Sequence, residues 1–237
     1  MAKIYAGTSG WAYTGWKPDF YPAKLASAKF LGYYATRLNS VELNYTFRRR
    51  VTPKLLAGWI EATPADFKFA VKSHQNITHV LRLKDASKAT ADFLESLEPL
   101  REAGKLGPAL FQLPPFLKRD LARLEDFLGL LPRGTLAAME FRHVSWFTDD
   151  VYGLLRKANV ALCVAESDKI ETPDVATADY RYYRLRKEDY SPAARKALSR
   201  KVAEAARGGD VFVYFKHEDT PEGALYAEAL LKDAKPA

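Results

Sequence analysis

Leu136-Ala137-Ala138-Met139-Glu140 is a short apolar run that ends on a carboxylate and passes straight into Phe141-Arg142-His143. Its length and its lack of a polar face suit a strand covered on both sides. Seven further runs of this kind lie at 4–7, 40–43, 67–72, 109–113, 160–164, 182–185 and 211–215. Segments with helical spacing separate them. Thr52-Pro53 reads as an N-cap and first turn ahead of Leu55, Leu56, Trp59 and Ile60. Leu94, Leu97 and Leu100 run to Gly104 as a C-cap, and Leu121, Leu124, Leu128 and Leu131 keep a 3.6-residue stripe. Val151, Leu154, Leu155 and Ala158 form another stripe, Ser191-Pro192 opens a helix ending at Gly208-Gly209, and 222–235 closes the chain. Eight such alternations predict one α/β domain over 1–237, a (β/α)8 TIM-type barrel. Between 166 and 179, Pro173 and the weak helical stripe predict a loop in place of one outer helix. A doubly wound open sheet is the alternative, but Gly7-Thr8-Ser9-Gly10 is not GxGxxG and no GxxxxGK[ST] occurs.

The 237 residues suffice for one such barrel, and a composition 48% apolar and 27% charged is that of a globular chain. A single cysteine, Cys163, excludes an intrachain disulfide and a cysteine-rich zinc module, and its apolar neighbours make it a core residue. No run is apolar enough to cross a membrane, and the first residues do not read as a signal peptide, so a cytoplasmic location without membrane contact is expected. The formal charge of +7 favours anionic partners. No protein partner is inferable.

In α/β folds, sites gather at the C-terminal ends of parallel strands. All four histidines, His74, His79, His143 and His217, follow strand-like runs. Gly7 to Trp16 after the first run joins small residues to aromatics, Trp11 among them. The second run ends Glu42-Leu43-Asn44-Tyr45, with Glu42 and Asn44 on one side by alternation. A carboxylate aimed into a barrel mouth needs a partner, and Lys72 at the end of the third run is one candidate. The fourth run ends on Gln112 before two prolines; the fifth places Glu140 and Arg142 on one side, followed by His143 and Trp146. The sixth leads to Glu166-Ser167-Asp168, the seventh carries Arg184 and Arg186, and the eighth ends at Lys216-His217-Glu218.

Five of these stretches, taken in order, resemble the YecE-like family, a domain-of-unknown-function family (number seventy-two). They are Gly7-Thr8-Ser9-Gly10-Trp11, 41–47, 67–72 with Ile77-Thr78-His79, 111–115, and 140–146. The resemblance implies a TIM-type barrel and no established reaction. It also implies Asn-Asn after Tyr-Phe on the last strand, where this chain has Lys216-His217.

The residues themselves suggest an enzyme acting on a small anionic or phosphorylated substrate. Glu42 or Glu140, its pKa raised by burial, would serve as general acid or base. Lys72, Arg142 and Arg186 would hold the anion, His79 or His143 would carry protons, and Asn44 and Gln112 would add hydrogen bonds. Trp11, Tyr45 and Trp146 would wall the pocket. On this reading Glu140→Gln keeps the fold and abolishes function. Two carboxylates would also suit glycoside hydrolysis. A metal held by Glu42, His79, Glu140 and His143 is disfavoured, since no close-spaced ligand motif such as HExxH occurs. No metal or named cofactor is assigned. The competing function is nucleic-acid binding or processing, from pI ≈ 9.3, Arg48-Arg49-Arg50 and aromatic residues available for stacking. A barrel that binds without catalysing is the third reading.

Overall fold

Every one of the eight runs forms a parallel strand. A computed structural model of the chain describes residues 2–166, 170–187, 189–216 and 219–234. The strands are β1 Ile4–Thr8, β2 Ser40–Leu43, β3 Lys68–Lys72, β4 Leu106–Gln112, β5 Ala137–Glu140, β6 Ala161–Ala165, β7 Tyr180–Leu185 and β8 Asp210–Phe215. Their order, β1-β8-β7-β6-β5-β4-β3-β2, is that of a TIM-type barrel opened at one seam.

That seam, between β1 and β2, is closed mostly by side chains. A single backbone bridge pairs Ser9 with Glu42. Asn39 acts as a substitute strand: its Oδ1 accepts from the Ala6 N–H at 2.9 Å and its Nδ2 donates to the Ile4 carbonyl at 2.8 Å. The Tyr34 hydroxyl accepts from the Thr8 N–H and donates to the Ser40 carbonyl, both at 2.9 Å. Gly7 permits this approach, because a Cβ there would stand 1.8 Å from the Ser40 oxygen. Asn39→Ala is expected to cost about 1–2 kcal/mol, as two backbone groups lose their partners; urea denaturation measures it.

The helices are α1 Phe30–Tyr34, α2 Pro53–Glu61, α3 Ser87–Glu95, α4 Glu98–Glu102, α5 Leu121–Leu128, α6 Asp149–Ala158, α7 Pro192–Ala205 and α8 Glu222–Asp233. The expected caps form: Thr52 Oγ1 accepts from the Leu55 N–H, and Ser191 Oγ from the Ala194 N–H. The stripe through Leu94, Leu97 and Leu100 is two helices, not one. Pro99 lacks an N–H and its ring crowds the carbonyl four residues back, at Glu95, where α3 ends. Residues 170–179 carry no helix, as expected, and Thr177 pins this stretch to β6 through its hydroxyl, which donates to the Val160 carbonyl and accepts from the Leu162 N–H.

Alternation sorts each strand onto two faces. Outward residues join the helices in the larger core, with Phe69, Phe111, Met139 and Val213 among them. Inside the barrel, Tyr5, Tyr180, Tyr182, Phe212 and Tyr214 come from the β1, β7 and β8 side. They face the small residues Ala70, Ala138, Ala161, Cys163 and Ala165. Cys163 is fully buried there, and burial raises its thiol pKa well above the ordinary value. Among the described residues no helix is long and apolar enough to cross a membrane.

Candidate functional site

The inward positions at the C-terminal ends of the strands are Glu42, Lys72, Gln112, Glu140 and Arg184, a layer of charge above the aromatic interior. Glu42 and Glu140 are 0% and 1% exposed, and Arg184 is 2% exposed. Arg184 spans them: Nη2 donates to Glu42 Oε1 at 2.7 Å and Nη1 to Glu140 Oε2 at 2.5 Å. Its side chain reaches β5 because the intervening strand, β6, presents the small residues Ala161, Cys163 and Ala165 inward. Ser9 Oγ and Tyr182 Oη donate to Glu42 at 2.8 and 2.6 Å. Gln112 Nε2 and Arg142 Nε donate to Glu140 Oε1, both at 2.8 Å, and Arg186 Nη2 lies 3.5 Å from the same oxygen.

Burial alone would raise both carboxyl pKa values. For Glu42, the Arg184 guanidinium and the Tyr182 and Ser9 hydroxyls outweigh burial and hold it below the usual range. For Glu140, Arg184, Arg186 and Arg142, with the Gln112 amide, hold it well below that range. Both are carboxylates with their oxygens engaged.

Lys72 differs. Among the described residues its Nζ makes no ion pair or hydrogen bond, and it lies 4.2 Å from the centroid of the Phe47 ring. Burial first, then Arg184 and Arg142, push its ammonium pKa down to about 8, against the opposing pull of Glu140 and Glu42. His79 meets the same Phe47 ring edge-on at 5.0 Å, and its Nδ1 is 2.9 Å from Thr78 Oγ1. Burial, with Lys72 and Arg142, lowers its pKa as well. The loop that carries His79 is irregular: a π-helical turn, Asn76–Val80, followed by Arg82, Leu83 and Asp85 in the left-handed region at φ 54°, 67° and 50°. Such outliers persist only where surroundings enforce them, and Leu83 is buried.

Two arginines, Arg184 and Arg142, and two carboxylates, Glu140 and Glu42, act on this amine, in a fold whose sites gather at this end of the barrel. Residues 5–237 match the family described as "Protein of unknown function DUF72". The chain belongs to the DUF72 family. This is the family that the YecE-like resemblance pointed to. A Bacillus subtilis relative, UPF0759 protein YunF, is 34% identical over 159 residues, covering 63% of this chain and 54% of its own length; the match thus spans about half of that relative. A solved DUF72 structure from Thermotoga maritima superposes with a TM-score of 0.87 at 29% identity, covering 97% of this chain and 98% of the other. One from Enterococcus faecalis gives 0.80 at 19% identity, covering 97% and 95%, and shares the fold.

Within this DUF72 barrel, the sequence-selected Glu42, Lys72, Gln112, Glu140, Arg142 and Arg186 converge, with His79 at the edge. Four expectations need correction. Glu42 and Glu140 have lowered, not raised, pKa values, because the cost of burying each carboxylate is outweighed by arginine. Lys72 does not pair with Glu42; Arg184 does. Trp146 is wholly buried, stacked on Phe141 at 4.7 Å with its Nε1 donating to the Leu117 carbonyl, so it is core and not a pocket wall. Glu140→Gln cannot be structurally silent, since Glu140 carries the buried ion pair with Arg184.

Other residues fall outside the cluster. His143 caps the 3-10 turn Val144–Trp146, its Nδ1 accepting from the Ser145 N–H at 3.2 Å. His74 does the same for Asn76. Trp11 and Tyr45 both pack edge-on against Trp59 of α2 at the rim, and Asn44 precedes the 3-10 turn Tyr45–Phe47 with a buried Oδ1 that has no hydrogen-bond partner among the described residues. Ser167, Asp168, His217 and Glu218 lie outside the described residues. Among the described residues no three His, Cys, Asp or Glu side chains converge as a metal site. A cavity of about 610 Å³ sits outside the barrel between the β2–α2 segment and α3, and no residue of the mouth cluster lines it.

Arg184, Tyr182 and Ser9 were not among the selected site residues. A signal for the first two existed: Tyr182, Arg184 and Arg186 share one strand face, and that face is the one turned inward. The length of an arginine crossing a barrel has no sequence signature.

Proposed function

We propose that this DUF72 protein is an enzyme that binds a small anionic substrate at the barrel mouth and uses Lys72 as its acid-base or nucleophilic group. The observation that carries the reading is geometric: among the described residues Lys72 is an inward cation of the mouth whose nitrogen has no acidic partner, beside a fully engaged Glu42–Arg184–Glu140 lattice. Arg142 and Arg186, one-third and one-fifth exposed, stand between that lattice and solvent and suit a carboxylate or phosphate. An amine with a pKa of about 8 is neutral in roughly a tenth of molecules at pH 7, enough to take a proton or attack a carbonyl. His79, with Nδ1 tied to Thr78, has Nε2 left for a second proton transfer.

Glu42 and Glu140 act in this scheme as positioning groups. A glycosidase needs one carboxylic acid still protonated near neutral pH, and neither of these supports that role. The arginine-filled centre likewise disfavours a cation between the two carboxylates.

Thermal shift against small carboxylates, phosphates and sugar acids tests the reading. A compound at 100 times its Kd should stabilise the protein by about 2.7 kcal/mol, and Arg142→Ala should weaken that compound roughly tenfold through loss of a charge-assisted contact. If no anion raises Tm, or if Arg142→Ala and Arg186→Ala leave the shift intact, the mouth is not an anion site.

A further inference from the structure

The large hydrophobic residues exposed among the described residues are Tyr45, Val80, Phe116 and Val144, at 43%, 64%, 62% and 66% exposure. All four lie on loops leaving the C-terminal ends of consecutive strands, β2, β3, β4 and β5. Scattered exposed apolar residues need no explanation, but four gathered on one rim mark an interaction surface. Cations accompany the rings. The Arg49 guanidinium sits 5.7 Å from the Tyr45 centroid, that of Arg82 5.4 Å from Phe116, and Lys72 4.2 Å from Phe47 just inside the mouth. Arg82 is also one of the left-handed residues, so the backbone holds it where relaxation would move it.

We infer that this rim binds single-stranded nucleic acid and presents one of its phosphates to Lys72, Arg142 and Arg186. Flat rings carrying guanidinium groups supply both halves of that recognition, a stacking surface for bases and a counter-charge for phosphates. The surrounding charge agrees: Arg48, Arg50, Lys84 and Lys118 are exposed on the same loops, in a chain of net charge +7. A lipid surface would want apolar tips projecting free of their cations, whereas here two of the four tips are rings lying under arginine. The inference rests on the anion-binding reading of the mouth for its phosphate contact, but the rim is tested separately.

The experiment is fluorescence anisotropy of a fluorescein-labelled twelve-nucleotide oligothymidylate, with the matching duplex and vesicles of mixed phosphatidylserine and phosphatidylcholine as comparators. Single strand should bind more tightly than duplex, and its affinity should fall steeply between 50 and 200 mM salt. Tyr45→Leu and Phe116→Leu keep an apolar side chain but remove the ring, and each should weaken oligonucleotide binding at least about fivefold. Vesicle binding that survives both substitutions, with no oligonucleotide binding by the parent protein, overturns the inference in favour of a membrane. Oligonucleotide affinity unchanged by both substitutions overturns the rim as its site. Thermal shift with inorganic phosphate on the same variants separates the two proposals. A retained phosphate shift beside lost oligonucleotide binding is the expected pattern. A phosphate shift in a parent protein that ignores oligonucleotide sinks the rim while leaving the mouth standing.

Discussion

Arg184→Met is expected to cost about 3–5 kcal/mol at pH 7, enough to leave much of the protein unfolded. Removing the guanidinium strands Glu42 as a buried carboxylate without its cation and leaves Glu140 to Arg142 and Arg186. The dependence on pH should also change sign. In the parent protein both folded carboxyl pKa values are depressed, so their contribution is present above the unfolded value, near 4.3, and fades as pH falls through the folded values. In the variant, burial acts on Glu42 without Arg184 and raises its pKa, while Arg142 and Arg186 still oppose burial at Glu140. The folded state then binds protons more readily than the unfolded chain, and stability falls as pH rises from about 4.5 toward 7. Urea denaturation from about pH 3 to pH 7 measures both slopes; parallel curves would show that the lattice is not held by charge. The triple variant Glu42→Gln, Arg184→Met, Glu140→Gln should recover much of the loss, because neutralising all three removes the desolvation cost along with the attraction.

Lys72→Met should do the reverse, stabilising the fold by about 2 kcal/mol at pH 7 while abolishing substrate turnover. The folded ammonium pKa, about 8, lies below the unfolded value near 10.4. The folded state therefore sheds its proton first, and parent stability rises with pH between about 8 and 10. Below pH 8 the protein carries a buried positive charge that it would be more stable without. The full shift overstates this cost, since the side chain keeps partial access to water, and about 2 kcal/mol corresponds to roughly 4–8 °C in Tm for a chain of this size. A variant that is both more stable and inactive is the signature of a group kept for chemistry at the expense of stability. Reductive methylation followed by mass spectrometry gives the pKa directly, by comparing Lys72 with surface lysines across pH. Titration of Lys72 above pH 10, or a variant less stable than its parent, would make it an ordinary structural lysine.

What was legible in the sequence follows from local rules. Strand alternation turned Glu42, Lys72, Gln112 and Glu140 to one side, and closing the sheet sent that side inward. The caps at Thr52 and Ser191 could be read because a hydroxyl reaches only a few residues along its own chain. Trp146 was misjudged for the converse reason. It follows Arg142 and His143 closely enough to look like part of the mouth, yet the 3-10 turn Val144–Trp146 swings it onto Phe141. Sequence spacing alone does not reveal that turn.

The sequence by itself determined the eight-stranded barrel, the end of it where charge would gather, and the DUF72 kinship, since each depends on period, order and residue type along the chain. The tertiary structure decided which charges are paired with one another. Arg184 on β7 consumes Glu42 on β2 and Glu140 on β5, strands 142 and 44 residues away in sequence. A pKa depends on distance and burial in three dimensions. Only closure of the barrel brings that guanidinium to both carboxylates and leaves Lys72 without an acid of its own among the described residues.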